Sequence, residues 1–239
     1  MPTHRAHQAH TRAWSTPIWV SYGVARTACK GLMAVLALFT ILSGEAAEAR
    51  TLRIVALGDS LTAGAGLSKA DSFTTKLEAV LRIRGWDVTI LNAGVSGDTA
   101  SGGLARLDWS VPPDTDGVIL ELGANDMLRG TDPQVTLKAL DEILARLDQR
   151  SLPVLLAGMR AAPNLGADYG RRFEALYADL ARTHPVIFYP FFLEGVAGNR
   201  TLNQTDALHP NAAGVDVIVA AILPDVEKLL EAAKRRTKQ

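Results

Sequence analysis

The chain has 239 residues, 48% hydrophobic and 21% charged, enough apolar material for a substantial buried core in what is by default one domain. Its 25 basic and 25 acidic side chains balance, which excludes a protein held to nucleic acid by neutralising phosphates and implies no strong electrostatic steering. A small neutral or mixed molecule is the natural partner.

The first 49 residues read as an export signal with an extended basic region. Arg5, Arg12, Arg26 and Lys30 precede an apolar run from Leu32 to Leu42, and the small residues Ala47 and Ala49 place cleavage after Ala49. At about 11 residues the run is short of the roughly 20 that cross a bilayer, so no stable membrane anchor is expected after cleavage. The stretch before Lys30 is long for such a signal and leaves open a translation start further in. Cys29 is the single cysteine and falls inside this segment, so the domain expected at 50–239 has neither a disulfide nor a thiol nucleophile. Losing four basic and two acidic residues leaves that domain a formal charge of −2. A periplasmic or secreted location follows.

From Leu52 onward, short aliphatic runs alternate with stretches of helical periodicity. Strands are expected at Leu52–Leu57, Asp87–Leu91, Gly117–Leu122, Pro153–Gly158 and Val186–Phe191, mostly continuous apolar runs as in parallel strands covered on both faces. Ser72 is positioned to cap a helix carrying Phe73, Leu77, Val80 and Leu81 and ended by Gly85. Asp132-Pro133 opens a helix with Leu140, Ile143, Leu144 and Leu147 on one face. Another carries Tyr169, Phe173, Leu176, Tyr177 and Leu180. The last runs from Asn211 towards Lys234, with Pro224 expected to kink or divide it. Strict βα alternation implies a doubly wound α/β sandwich, in which chemistry belongs to the loops beyond the carboxyl ends of the strands.

The loop after the first strand reads Gly58-Asp59-Ser60-Leu61-Thr62-Ala63-Gly64-Ala65-Gly66. It lacks the Gly-Lys-Ser/Thr ending of a phosphate loop, has Lys69 where a dinucleotide fingerprint needs its third glycine, and has Thr62 at the second glycine of an α/β-hydrolase elbow. Ser60 is therefore a nucleophile of another kind or a serine that caps a turn. Near the other end, Asp206-Ala207-Leu208-His209-Pro210 sets a carboxylate three residues before an imidazole, a spacing that lets the acid orient the ring, or else a capped turn. Of the histidines beyond residue 49, His184 ends a helix and is expected to lack a nearby acid, leaving His209 as the better general base. Two further loops, Asn92–Thr99 and Gly123–Asp126, offer donors for a developing oxyanion, the Gly97 amide and the Asn125 side chain.

GDSL at 58–61, SGDT at 96–99, GAND at 123–126 and DALHP at 206–210 together resemble the four blocks of the SGNH/GDSL hydrolase family, from about Leu52 to Leu230. Tyr169–Phe173 and Pro190–Glu194 are similar to its branch of bacterial multifunctional thioesterase I/lysophospholipase/protease I and arylesterases. The resemblance implies a flavodoxin-like three-layer α/β/α sandwich with a five-stranded parallel sheet. It implies Ser60 as nucleophile, His209 as base and Asp206 as its partner, with an oxyanion hole of the Ser60 and Gly97 amides and the Asn125 side chain. Asp59, Leu61 and Leu165 are candidate substrate contacts, and Met159–Tyr169 a candidate wall of the cleft.

The expected reaction is hydrolysis of carboxylic esters, acyl thioesters or lysophospholipids through an acyl-enzyme, with no cofactor. With two histidines and no cysteine in the mature chain, no metal site is expected either. The alternatives are a carbohydrate O-acetylesterase using the same residues, and a noncatalytic binding protein or flavodoxin-like nucleotide binder.

Overall fold

A computed structural model describes residues 50–237; the expected signal segment and Cys29 lie outside the described residues. Five parallel strands form one sheet: β1 (Leu52–Gly58), β2 (Val88–Gly94), β3 (Gly117–Glu121), β4 (Val154–Ala157) and β5 (Ile187–Tyr189), in the order β2-β1-β3-β4-β5. Register is set by pairs such as Val55 with Leu91, Leu57 with Leu120, and Leu156 with Phe188. Every residue of β3 and β4 is buried, whereas β2 and β5 at the edges are partly exposed. The central runs are apolar throughout because helices cover both of their faces.

The helices are α1 (Ser60–Ala63), α2 (Phe73–Ile83), α3 (Ala100–Ala105), α4 (Leu107–Ser110), α5 (Ala124–Leu128), α6 (Pro133–Gln149), α7 (Ala167–Thr183) and α8 (Ala212–Arg236). α2 packs with α8, and α6 packs with α3 and α7, which gives the expected sandwich. Asp132 caps α6 by accepting from the Gln134 amide at 3.0 Å, with Pro133 where no donor is needed. The helix at Tyr169–Leu180 forms as α7, burying Phe173, Leu176, Tyr177 and Leu180.

Two local expectations are corrected. Ser72 stands at the cap position of α2, but its hydroxyl donates to the Lys69 carbonyl at 2.9 Å and makes no capping bond to the helix amides. Of the kink or division expected at Pro224, division does not occur: α8 runs unbroken from Ala212 to Arg236. Pro224 and Ala220, whose carbonyl the proline leaves without a donor, are both exposed, on the face where solvent can take the place of the lost bond. The opposite face buries Val215, Ile218, Ile222, Val226 and Leu229, each contributing about 1.5–3 kcal/mol, which outweighs one missing bond.

The chain passes from β1 to the edge strand β2 and then returns across the sheet to β3 on the other side of β1. At such a reversal the loops beyond the strands separate and leave a crevice. Ser60, Gly97 and Asn125 follow β1, β2 and β3.

Candidate active site

Ser60 is the first residue of α1, immediately beyond the end of β1. Asp59 makes the turn by accepting the Leu61 amide at 2.9 Å, and only glycine fits before it. A Cβ on Gly58 would lie 2.1 Å from Thr62 Oγ1 and 2.7 Å from the Glu121 carbonyl oxygen. The serine hydroxyl is thereby presented at the carboxyl edge of the sheet.

The turn before α8 brings His209 to it. Asp206 Oδ1 accepts the Leu208 and His209 amides at 2.9 and 3.0 Å, which closes the turn, while its Oδ2 lies 2.6 Å from His209 Nδ1. His209 Nε2 is 2.9 Å from Ser60 Oγ. The His209 ring and amides lower the Asp206 pKa to about 2, so this carboxylate is ionised at any pH at which the imidazole could serve as base. Carboxylate, imidazole and hydroxyl thus form one hydrogen-bonded line, through which the serine proton can pass to the ring.

The loop after β2 turns at Gly97, whose φ of +86° lies in the left-handed region. Asn125, the second residue of α5, donates one amide hydrogen to Asp59 Oδ2 at 3.0 Å, leaving its second unspent. Ser60, Gly97, Asn125 and His209 all line one cleft of about 450 Å³. Its walls include Leu61, Met127, Leu128, Met159, Pro163 and Phe191, an apolar surface around a few convergent polar groups.

The candidate substrate contacts fare differently. Leu61 lines the cleft. Asp59 does not, being completely buried and turned inward to Asn125 and Leu61. Leu165 does not either: the wall is built from Met159 to Pro163, and the short 3₁₀ turn Pro163–Leu165 carries Leu165 away from it. His184 is also corrected, since its Nε2 lies 2.7 Å from Asp141 Oδ1. The acid comes from α6, far in sequence, and the pair lies off the cleft.

Sequence reasoning missed three supports. Gln204 spends both amide hydrogens on carbonyls, Ala65 after α1 at 2.8 Å and Pro210 after the histidine at 2.9 Å, and so ties the serine turn to the histidine turn. Asp126, raised by burial, accepts the Ala100 amide at 2.8 Å and joins the loops after β2 and β3. Glu121 ends β3 completely buried, with Oε2 accepting Thr62 Oγ1 at 2.8 Å. Burial, then the neighbouring Asp59, pushes its pKa well up, and burial raises Asp59 itself to about 6. Among the described residues, no group of three His, Cys, Asp or Glu side chains is gathered in a way that could hold a metal ion.

A parallel α/β/α sandwich with this line of groups at its carboxyl edge, opening on an apolar cleft, has the make-up of an acyl-group hydrolase. Residues 56–217 match the model of the GDSL-like Lipase/Acylhydrolase family, and the chain belongs to that family. It is 37% identical to Thioesterase 1/protease 1/lysophospholipase L1 of Escherichia coli, over 72% of this chain and 80% of the relative. It is 36% identical to an arylesterase of Vibrio mimicus, over 82% of this chain and 97% of the relative. Among solved structures, AlinE4, an SGNH-hydrolase family esterase, is 46% identical with a TM-score of 0.64, over 76% of this chain and 97% of that one. The protein is a carboxylic ester hydrolase of SGNH type.

Proposed function

We propose that this enzyme cleaves acyl esters and thioesters whose acyl group lies along the apolar cleft, with Ser60 as nucleophile. The observation that carries this reading is the Asp206–His209–Ser60 line at the mouth of that cleft. Ser60 Oγ attacks the acyl carbonyl as its proton passes to His209 Nε2. The oxyanion is met by the Ser60 and Gly97 amides and the second hydrogen of Asn125 Nδ2. Collapse breaks the bond to the leaving alcohol or thiol, which takes the proton from His209. Water then attacks the acyl-enzyme, giving its proton to His209, and the released Ser60 takes that proton back.

The apolar walls favour an alkyl acyl chain, and the names of the relatives, thioesterase, lysophospholipase and arylesterase, are consistent with that range. The discriminating experiment is a chain-length series of nitrophenyl esters beside acyl-CoA, a lysophospholipid and acetylated xylan. Rates are expected to peak above acetate, with acetylated xylan poor; a preference for the acetylated polysaccharide would overturn the acyl-cleft assignment. Purified Ser60→Ala is expected to be inert and unlabelled by a fluorophosphonate probe, and normal turnover by it would overturn the mechanism.

We further propose that residues 1–49 are an export signal and 50–239 the mature hydrolase, periplasmic or secreted. Among the described residues no helix is long and apolar enough to cross a membrane. Amino-terminal sequencing of the exported protein is expected to begin at Arg50; an intact first segment would overturn the assignment.

A further inference from the structure

Between α3 and α4, Arg106 turns its side chain inward, with 15% of it exposed. Its guanidinium makes four hydrogen bonds. Nε donates to Asp98 Oδ2 at 2.6 Å, Nη1 to the Ala93 carbonyl at 2.9 Å and Ser110 Oγ at 2.8 Å, and Nη2 to the Gly58 carbonyl at 2.9 Å. Gly58 stands two residues before Ser60, and Asp98 directly follows Gly97. The Gly58 carbonyl also accepts the Val95 amide at 3.1 Å, so the ends of β1 and β2 meet at the oxygen that Arg106 holds.

We propose that Arg106 is a positioning residue that sets the Gly97 amide against the Ser60 amide by clamping the Gly58 carbonyl and the Asp98 carboxylate with one guanidinium. The proposal rests on Ser60 and Gly97 serving as the oxyanion donors. Two donors from different strands stabilise a developing charge only when their separation is set before the reaction begins. The guanidinium suits this because it is planar, always charged, and delivers its donors in fixed directions. A lysine in its place would keep the charge but could not reproduce the fork. Gly97 has no side chain of its own and lies in a left-handed turn, so its placement comes from what holds its backbone, where Arg129 Nη2 donates to its carbonyl at 2.7 Å, and from its chain neighbours. Asp98 is the neighbour that Arg106 holds.

The test is Arg106→Lys and Arg106→Ala, assayed with nitrophenyl esters and with phenylboronic acid, which adds to a serine oxygen to give a tetrahedral adduct. Both variants are expected to lose about 10- to 100-fold in kcat with KM little changed. Inhibition by the boronic acid should weaken by a similar factor, and added guanidinium ion should restore part of the Arg106→Ala rate. Folded variants with kcat within about twofold of the parent would overturn the proposal. So would a loss of activity that follows only the folded fraction, with boronic acid affinity unchanged. If neither variant folds, Asp98→Ala removes the other end of the clamp and is held to the same criteria. Ser60→Ala, assayed in parallel, tests the underlying mechanism separately: its activity would sink that mechanism, whereas an inert Ser60→Ala beside unimpaired Arg106 variants would sink only the clamp.

Discussion

Asn125 points one hydrogen of its amide at Asp59 and, in the mechanism proposed above, offers the other to the oxyanion, so the direction in which this amide faces decides whether the cleft holds a donor or an acceptor. Asp59 sets that direction, because a carboxylate accepts at both oxygens: Leu61 at one, Asn125 at the other. Asp59→Asn should therefore disturb catalysis from behind the site. The new amide has a single oxygen for two donors, so either it opposes its own NH₂ to the Leu61 amide or it forces Asn125 to turn and present its carbonyl to the oxyanion. The expected result is a loss on the order of 10² to 10³ in kcat, comparable with Asn125→Ala, with KM nearly unchanged. Steady-state kinetics of the two variants decide it. A full-rate Asp59→Asn enzyme would show that the amide is oriented by something else.

At the scale of elements, the two halves of the proposed proton path arrive on different parts of the chain, the serine on a turn after β1 and the histidine on a turn before α8. Gln204 joins them through the Ala65 and Pro210 carbonyls. Gln204→Leu leaves both carbonyls without that donor and frees the histidine turn to drift from Ser60. It should cost about 1–3 kcal/mol in denaturant unfolding and lower kcat more than it raises KM. Wild-type kcat in this variant would mean that the histidine turn holds itself.

The strands, the helix faces and the short-range Asp206–His209 turn were legible in the sequence, because each rests on periodicity or on a spacing of a few residues. The partners of Gln204, Glu121 and His184 were not. Ala65, Thr62 and Asp141 lie 139, 59 and 43 residues away from them, and nothing local marks the pairs. Asp59 misled for the same reason: beside a nucleophile it read as a substrate contact, and only the packing of β3 against β1 shows that it is buried.

For the whole molecule, the site stands on buried acids that the fold must keep from ionising freely. Glu121 accepts Thr62 at Oε2, while its Oε1 has no partner, which is where a proton would reside on a neutral acid. Its ordinary value is 4.5, and burial followed by the charge of Asp59 raises it well above that in the folded chain. The unfolded chain therefore releases this proton near pH 4.5, while the folded chain retains it to higher pH. Folding takes up a proton between those limits, and stability falls as pH rises through that window, by up to about 1.4 kcal/mol per pH unit for a full proton. Asp59, raised from 3.8 to about 6, acts in the same direction over its own interval. Asp206 has the opposite sign, its stabilisation being lost only as pH falls from 3.8 towards about 2. Glu121→Gln keeps an oxygen for Thr62, sets its amide where Oε1 lies, and has no proton to take up. Denaturant unfolding of both proteins at pH 5 and pH 8 should show the parent losing stability relative to Glu121→Gln as pH rises. Parallel behaviour of the two would mean that Glu121 is ionised in the folded enzyme and that the Ser60 turn rests on a buried charge.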